Sequence, residues 1–156
     1  MSLKLPALDP KTVEARTRSG YPEPYRSQVL PREKRALGDA CGLTRIGINC
    51  TTLYPGKVSS MRHWHSHEDE FIYVLEGEII LKTDAGEQTL TCGMCAGFKA
   101  GVTDGHQLLN RSVRPAVYLE VSNRDPLDTG DYSEADLRWS PPEHRGKFTR
   151  RNGEPY

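Results

Sequence analysis

Three features of the sequence predict an all-β fold, an antiparallel barrel or double sheet. Short runs of β-formers follow one another, glycine-containing turns separate them, and no helical periodicity interrupts them before residue 131. The elements follow in order. Residues 1–42 are rich in proline, charge and small side chains, and YPEPYR (21–26) is held extended by its prolines. This segment reads as an extended N-terminal arm. From 43 the pattern changes: LTRIGINCTTLYPG alternates Ile46, Ile48 and Cys50 with other residues and stops at Pro55-Gly56. Val58 to His65 reads as the next strand, and EFIYVL (70–75) as a third dense in β-formers. Glu76-Gly77 turns it into EIILKTD, and Asp84-Ala85-Gly86 turns that into EQTLTC. Gly93 opens MCAGF, and HQLLN and AVYLEV follow. DYSEADLRW (131–139) reads as one helical turn. The expected organisation is an arm over 1–42, a barrel over 43–125 and a C-terminal tail over 126–156 packing on the barrel. The expected core holds Ile46, Ile48, Ile72, Val74, Leu81 and Leu108.

Composition narrows the partners. The chain has 156 residues, and 21 Lys and Arg balance 21 Asp and Glu. No global basic field exists to drive counterion release, so no nucleic-acid partner is expected. The local exception, HRGKFTRR (144–151), reads as a solvated tail. No apolar run is long enough to span a membrane, and the N-terminus has no apolar leader core. A cytoplasmic location with no membrane partner is expected. Cys41, Cys50, Cys92 and Cys95 are then reduced thiols. Cys92 and Cys95 form a C-x-x-C without the second pair a structural zinc site needs.

The chemistry-bearing signal is RHWHSHEDEFIYVLEGE. His63, His65 and His67 alternate, and Glu70 follows. Side chains at i and i+2 of a strand share a face, so His63 and His65 project together with Met61. Glu70 shares its face with Ile72 and Val74. His106 precedes Asn110 in GFKAGVTDGHQLLN. Imidazole and carboxylate donors from two hairpins suit a divalent transition metal. Arg62 and Arg111 alternate away from the lumen with respect to His63 and Asn110. Tyr73 and Trp64 point outward too, toward another sheet or subunit. The lumen thus offers no evident phosphate clamp.

These residues resemble the two motifs of the cupin superfamily. The first reads Gly56, then His63-Trp-His65, four residues, Glu70, six residues, Gly77. The second reads Gly93, five residues, Lys99-Ala-Gly101, then His106, three residues, Asn110. The spacer after Gly56 is one residue longer than the family's usual form, Lys99 stands where proline is usual, and the gap before His106 is lengthened. None of these departures touches a ligand position. More narrowly, the chain is similar to small single-domain bacterial cupins of unassigned function, some of them labelled sugar-phosphate isomerases by analogy.

The resemblance implies a double-stranded β-helix, or jelly roll. It implies one Zn, Mn, Fe or Ni ion per chain on His63, His65, Glu70 and His106. His67 is the rival ligand, with the parity of His63 and His65, but it lies at the turn before Glu70, where a rim position is expected, with Glu68 and Asp69 as rim charges. Glu70 is the one candidate for a base. The expected function is binding, or acting on, a small oxygenated molecule, sugar-like or carboxylate-like. The alternatives are a non-catalytic sensor and a metal-dependent isomerase, lyase or dioxygenase, and the residues leave enzyme status open. The arm, with apolar side chains and few partners of its own, is expected to add to a neighbour's sheet in a homodimer.

Overall fold

A computed structural model describes residues 3–140 and 148–156 of the chain. Two short helical turns, α1 (Tyr25–Val29) and α2 (Leu37–Ala40), flank the first strand, β1 (Arg32–Ala36). Then come β2 (Ile46–Leu53), β3 (His63–His65), β4 (Glu70–Glu76), β5 (Glu78–Thr83), β6 (Gly86–Thr91), β7 (Cys95–Phe98), β8 (Gln107–Leu109) and β9 (Ala116–Asn123). The last three are β10 (Gly130–Tyr132), β11 (Arg138–Trp139) and β12 (Phe148–Thr149).

The strands form the two walls of a jelly roll. One wall is a five-stranded antiparallel sheet in the order β1-β2-β9-β4-β7. The other combines β12-β11-β10-β3 with β6-β5-β8, joined by the bridges His63↔His106 and Val58↔Leu109. Between the walls lies the central core: Leu53, Ile72, Val74, Ala116 and Tyr118 from the first, Ile79, Leu81, Leu90 and Leu108 from the second. Burying such side chains contributes roughly 1.5–3 kcal/mol each relative to exposure.

Register orders the inner face of the five-stranded wall. One cross-strand row is Lys34, Thr51, Tyr118 and Val74; the next is Ala36, Asn49, Glu120, Ile72 and Ala96; the next is Gly47, Ser122, Glu70 and Phe98. The lumen is therefore apolar at one end and polar at the other. Gly77 closes the β4–β5 turn at φ 75°, and a Cβ there would sit 3.0 Å from the carbonyl oxygen of Pro115. That requirement explains a glycine at the end of the first motif.

Several expectations need correction. Ile46 is 36% exposed and Ile48 only half-buried, because β2 turns Gly47, Asn49, Thr51 and Leu53 inward instead. The alternating isoleucines mark the outer face of the sheet. Residues 131–139 form no helical turn: Gly130–Tyr132 pairs with β3, which takes its backbone groups into a ladder. Only His63–His65 of the expected 58–65 strand is ladder-paired, and the preceding turn buries Met61 and Arg62.

The segments before 43 and after 125 are tied to the central strands. β1 pairs with β2, and β10 with β3. A second core joins the two ends: Tyr21 and Val29 meet Met61, Tyr132, Ala135 and Leu137, with Phe148 packed against them. Of the basic stretch 144–151, residues 144–147 lie outside the described residues. Phe148 stacks on Tyr21 at 4.7 Å between ring centroids, so this part is not a solvated tail.

Candidate metal centre

The four side chains matched to the motifs converge at the polar end of the lumen. β3 carries His63 and His65 inward, Glu70 opens β4 on the facing wall, and His106 immediately precedes β8. Oε2 of Glu70 lies 2.8 Å from Nε2 of His106, 3.5 Å from Nε2 of His65 and 4.0 Å from Nε2 of His63. Gly105 allows the His63–His106 approach, since a Cβ there would lie 3.3 Å from the His63 backbone and collide with the Ser133 side chain.

The imidazoles are oriented from behind. Nδ1 of His63 lies 2.9 Å from the carbonyl oxygen of Met61, which leaves Nε2 as the free electron pair. Nδ1 of His65 lies 2.6 Å from Oδ2 of Asp128. Asp128 is fully buried, and its Oδ1 accepts from the backbone of His67 and Glu68. A carboxylate behind a histidine in this way orients a metal ligand and raises its basicity. The His106 ring stacks on Phe98 at 3.6 Å, and the His63 ring stacks on Tyr132 at 5.5 Å.

Electrostatics fit a cation site. Burial, with His106 adding to it, pushes His63 down to about 3. Burial also opposes charge on His65, but Asp128 and Glu70 outweigh it and raise its pKa. For Glu70 burial works upward, yet His106, His63 and His65 hold the carboxyl below its usual range. Despite those neighbours, Oε2 of Glu70 is buried and accepts no hydrogen bond of good geometry. A buried carboxylate oxygen without a proper donor, faced by three ring nitrogens, is the arrangement a divalent ion completes. His63, Glu70 and His106 each offer one ligand atom within 4.8 Å of the others. His65, Glu68 and Asp128 form a second such group. There, Asp128 is already occupied by its backbone donors, so this group acts chiefly through His65.

His67 stands apart. Its side chain is exposed and its Nδ1 is 2.8 Å from the Ser66 hydroxyl. Glu68 lines the cavity, and burial raises its pKa, whereas Asp69 is exposed. Arg62 does turn away from the lumen, where it is buried against Asp84, Asp104, Glu134 and the Gly105 carbonyl. Arg111 pairs with Glu87 at the surface. Asn110 is structural: its side chain holds the carbonyls of Leu53 and Arg114.

A cavity of about 430 Å³ opens onto the four side chains. Its walls carry cationic side chains that the outward alternation of Arg62 and Arg111 does not anticipate. Arg16, Arg32, Lys34 and Arg124 all line it. Three of them belong to the segment read as an arm, and Arg32 and Lys34 point inward from β1. The alternation in REKRA carried that signal. The cavity also exposes Glu120, whose Oε2 is 2.6 Å from Lys34 Nζ and whose Oε1 accepts from the Tyr118 hydroxyl at 3.1 Å. A second cavity of about 300 Å³ reaches the same His65, Glu70 and His106 from another side, past Trp64, Leu81 and Phe98. Trp64 therefore borders an approach to the site.

Comparison with known proteins agrees with this geometry. The family model described as "Cupin domain" matches residues 50–122. A sugar phosphate isomerase from a cupin superfamily, from Silicibacter pomeroyi, is 39% identical, with 97% of this chain and 96% of that one covered at a TM-score of 0.88. A provisionally named sugar phosphate isomerase of Acidithiobacillus ferrooxidans is 31% identical over 79% of this chain and 72% of its own, at 0.66. The polyketide cyclase RemF of Streptomyces resistomycificus, 20% identical over 76% of this chain and 79% of its own at 0.62, shares the fold alone. No curated protein matches the chain.

Proposed function

The chain belongs to the cupin superfamily, and we propose that it is a metal-dependent isomerase of a small sugar phosphate. The observation that carries this reading is the buried, donorless Oε2 of Glu70 among three imidazoles. His63, His65, Glu70 and His106 would hold one divalent ion, of the Zn, Mn, Fe or Ni class. Bound there, such an ion would supply Lewis-acid polarisation of a substrate carbonyl. Sugar phosphate as substrate is supported by the two relatives above 30% identity.

The remaining steps fall to the protein's own groups. Glu120 lies across from Ile72, a diagonal neighbour of Glu70 on the same face. Such positions are about 7–8 Å apart, the span of a small substrate. Glu120 takes the proton from the carbon next to the carbonyl and returns it to the former carbonyl carbon. Lys34, beside it, gives a proton to the carbonyl oxygen and recovers one from the neighbouring hydroxyl. Glu70 thus serves as ligand, and the base is a residue no motif marks.

A homodimer is part of the proposal. Its support is the outer face of the five-stranded sheet, where Phe71, Tyr73 and Leu75 remain more than a third exposed. β1 pairs within its own chain, so an arm added to a neighbour's sheet is not the support. No helix among the described residues is long and apolar enough to cross a membrane.

The test is proton exchange. Incubating metal-loaded protein with aldose phosphates in deuterated water should place deuterium at the carbon next to the carbonyl and interconvert aldose and ketose. Glu120→Gln should abolish both while retaining the metal. Turnover only with dioxygen, in an iron-loaded protein, would replace this reading with a dioxygenase.

A further inference from the structure

We propose that Arg32 is the anchor for the substrate's phosphate group, an inference that rests on reading the lumen as a sugar-phosphate site. Four cations line the cavity, and three of them are already paired. Lys34 is 2.6 Å from Glu120, while Arg16 and Arg124 share Asp39. Arg32 has no carboxylate partner among the described residues. One of its terminal nitrogens donates to the Ser59 carbonyl. Its Nε is buried without an acceptor, and the other terminal nitrogen donates to no described group. A guanidinium carries five N–H donors, and a half-buried one with so few acceptors is costly unless an anion completes it.

Position supports the same role. Arg32 sits on the edge strand β1 and reaches the opposite wall at Ser59. The next residue, Ser60, has its hydroxyl 3.3 Å from Nδ1 of His63. The guanidinium is thus one residue removed from the support of a candidate metal ligand. Arg32, Glu70, Tyr21 and Tyr132 all line the same cavity. A molecule held at its carbonyl end by the metal centre would present its other end to Arg32.

Charge selects the ligand class. Outside the four candidate metal ligands, the cavity carries four cationic side chains against Asp39, Glu68 and Glu120. The surplus is one positive charge, and a divalent ion set against Glu70 would bring it to two. A phosphate monoester carries about −1.5 to −2 at neutral pH, which would balance the metal-loaded lumen, where a carboxylate would leave half uncompensated. The guanidinium fork also matches phosphate oxygens two at a time, as a lysine cannot.

The test uses inorganic phosphate and the full chain, stripped of metal so that phosphate cannot coordinate an ion. Calorimetric titration should show phosphate binding that Arg32→Gln weakens by about tenfold or more, the usual loss of a charged hydrogen bond. Arg32→Lys should fall between the two, and Arg111→Gln, which removes an equal charge outside the cavity, should match the parent. Acetate should bind at least about tenfold more weakly than phosphate. Unchanged phosphate affinity in folded Arg32→Gln overturns the proposal, and acetate binding as tightly as phosphate overturns the ligand class. If Arg32→Gln does not fold, phenylglyoxal labelling of the parent decides: phosphate should slow modification of Arg32, and no protection refutes it. Absence of a metal ion in the parent would sink the isomerase reading but leave this titration standing. Arg32-independent phosphate binding in a protein that holds metal and isomerises sugar phosphates would sink this inference alone.

Discussion

The central core and the terminal core contain similar side chains but come from different parts of the chain and serve different ends. The central core draws Leu53, Ile72, Val74, Ile79, Leu81, Leu108 and Tyr118 from strands close in sequence order, and it closes the apolar end of the lumen. The terminal core joins Tyr21 and Val29 to Tyr132 and Leu137, more than a hundred residues away, across Met61. Tyr132 then stacks on His63, and the Tyr21 hydroxyl donates to that of Tyr132 at 3.2 Å. The first core holds the barrel together. The second holds the site in shape, and with it come Arg32, Lys34 and Asp128. A fold can be encoded locally while its function depends on the chain ends.

Breaking each core should separate the two roles. Leu53 and Leu137 are both fully buried. Leu53→Ala and Leu137→Ala should each cost about 2–5 kcal/mol in denaturant unfolding. Only Leu137→Ala should also weaken metal binding in the protein that remains folded, because it loosens the packing behind His63. Equal metal affinities in the two variants would dissolve the distinction.

Removing the metal should cost about as much as a core deletion. The ligands come from separate strands, so an ion bound only to the native state stabilises it by roughly 3–4 kcal/mol at 100–1,000 times Kd. That is on the order of ten degrees in melting midpoint for a domain of about 150 residues. The central core should keep the chelated protein folded, and metal added back should restore the midpoint. Collapse on chelation would mean that the site, not the core, carries the fold.

A smaller effect is expected at Asp128, which touches no metal position but orients His65. Asp128→Asn should lower metal affinity about 10–100-fold, the range seen when such a supporting carboxylate is removed. Competition with a fluorescent chelator measures it, and unchanged affinity would show that His65 needs no support.

The pH dependence of the metal-free protein should be gentler still. Burial holds His63 at about 3 against a usual 6.5, so the native state binds fewer protons than the unfolded chain in between. Stability therefore falls as pH drops from about 6.5 toward 3, and the depressed Glu70 acts in the same direction below its usual 4.5. His65, with a raised pKa, acts oppositely, its contribution being lost as pH rises through that value. Melting midpoints should decline on acidification, and His63→Gln should flatten the decline. A midpoint flat between pH 7 and 4 would contradict a buried neutral His63.

The terminal core also shows where sequence reading ran out. The convergence of His63, His65, Glu70 and His106 is legible because strand parity and the spacing of two motifs mark them. The strands β4, β5 and β9 were legible because their β-branched and aromatic runs are bounded by glycine turns. β2 was misread in facing. Its isoleucines alternate correctly, but Leu53 and Thr51 are the buried set, since the outer face of this sheet is itself apolar. Asp128 gave no signal, because an aspartate that caps a turn and orients a histidine looks like any loop acid. Arg32, Lys34 and Glu120 are ordinary charged residues in strands. Only the pairing of β1 with β2, and of β2 with β9, turns them into the same cavity.

Elemental analysis of metal per chain bears most directly on the central claim, that His63, His65, Glu70 and His106 hold one ion. The comparison is the parent, His106→Ala and His67→Ala, purified identically and checked for folding. The account predicts about one ion per chain in the parent, following from the ligand set of a mononuclear site. It predicts the same in His67→Ala and essentially none in His106→Ala. Metal lost from His67→Ala and kept by folded His106→Ala would contradict it.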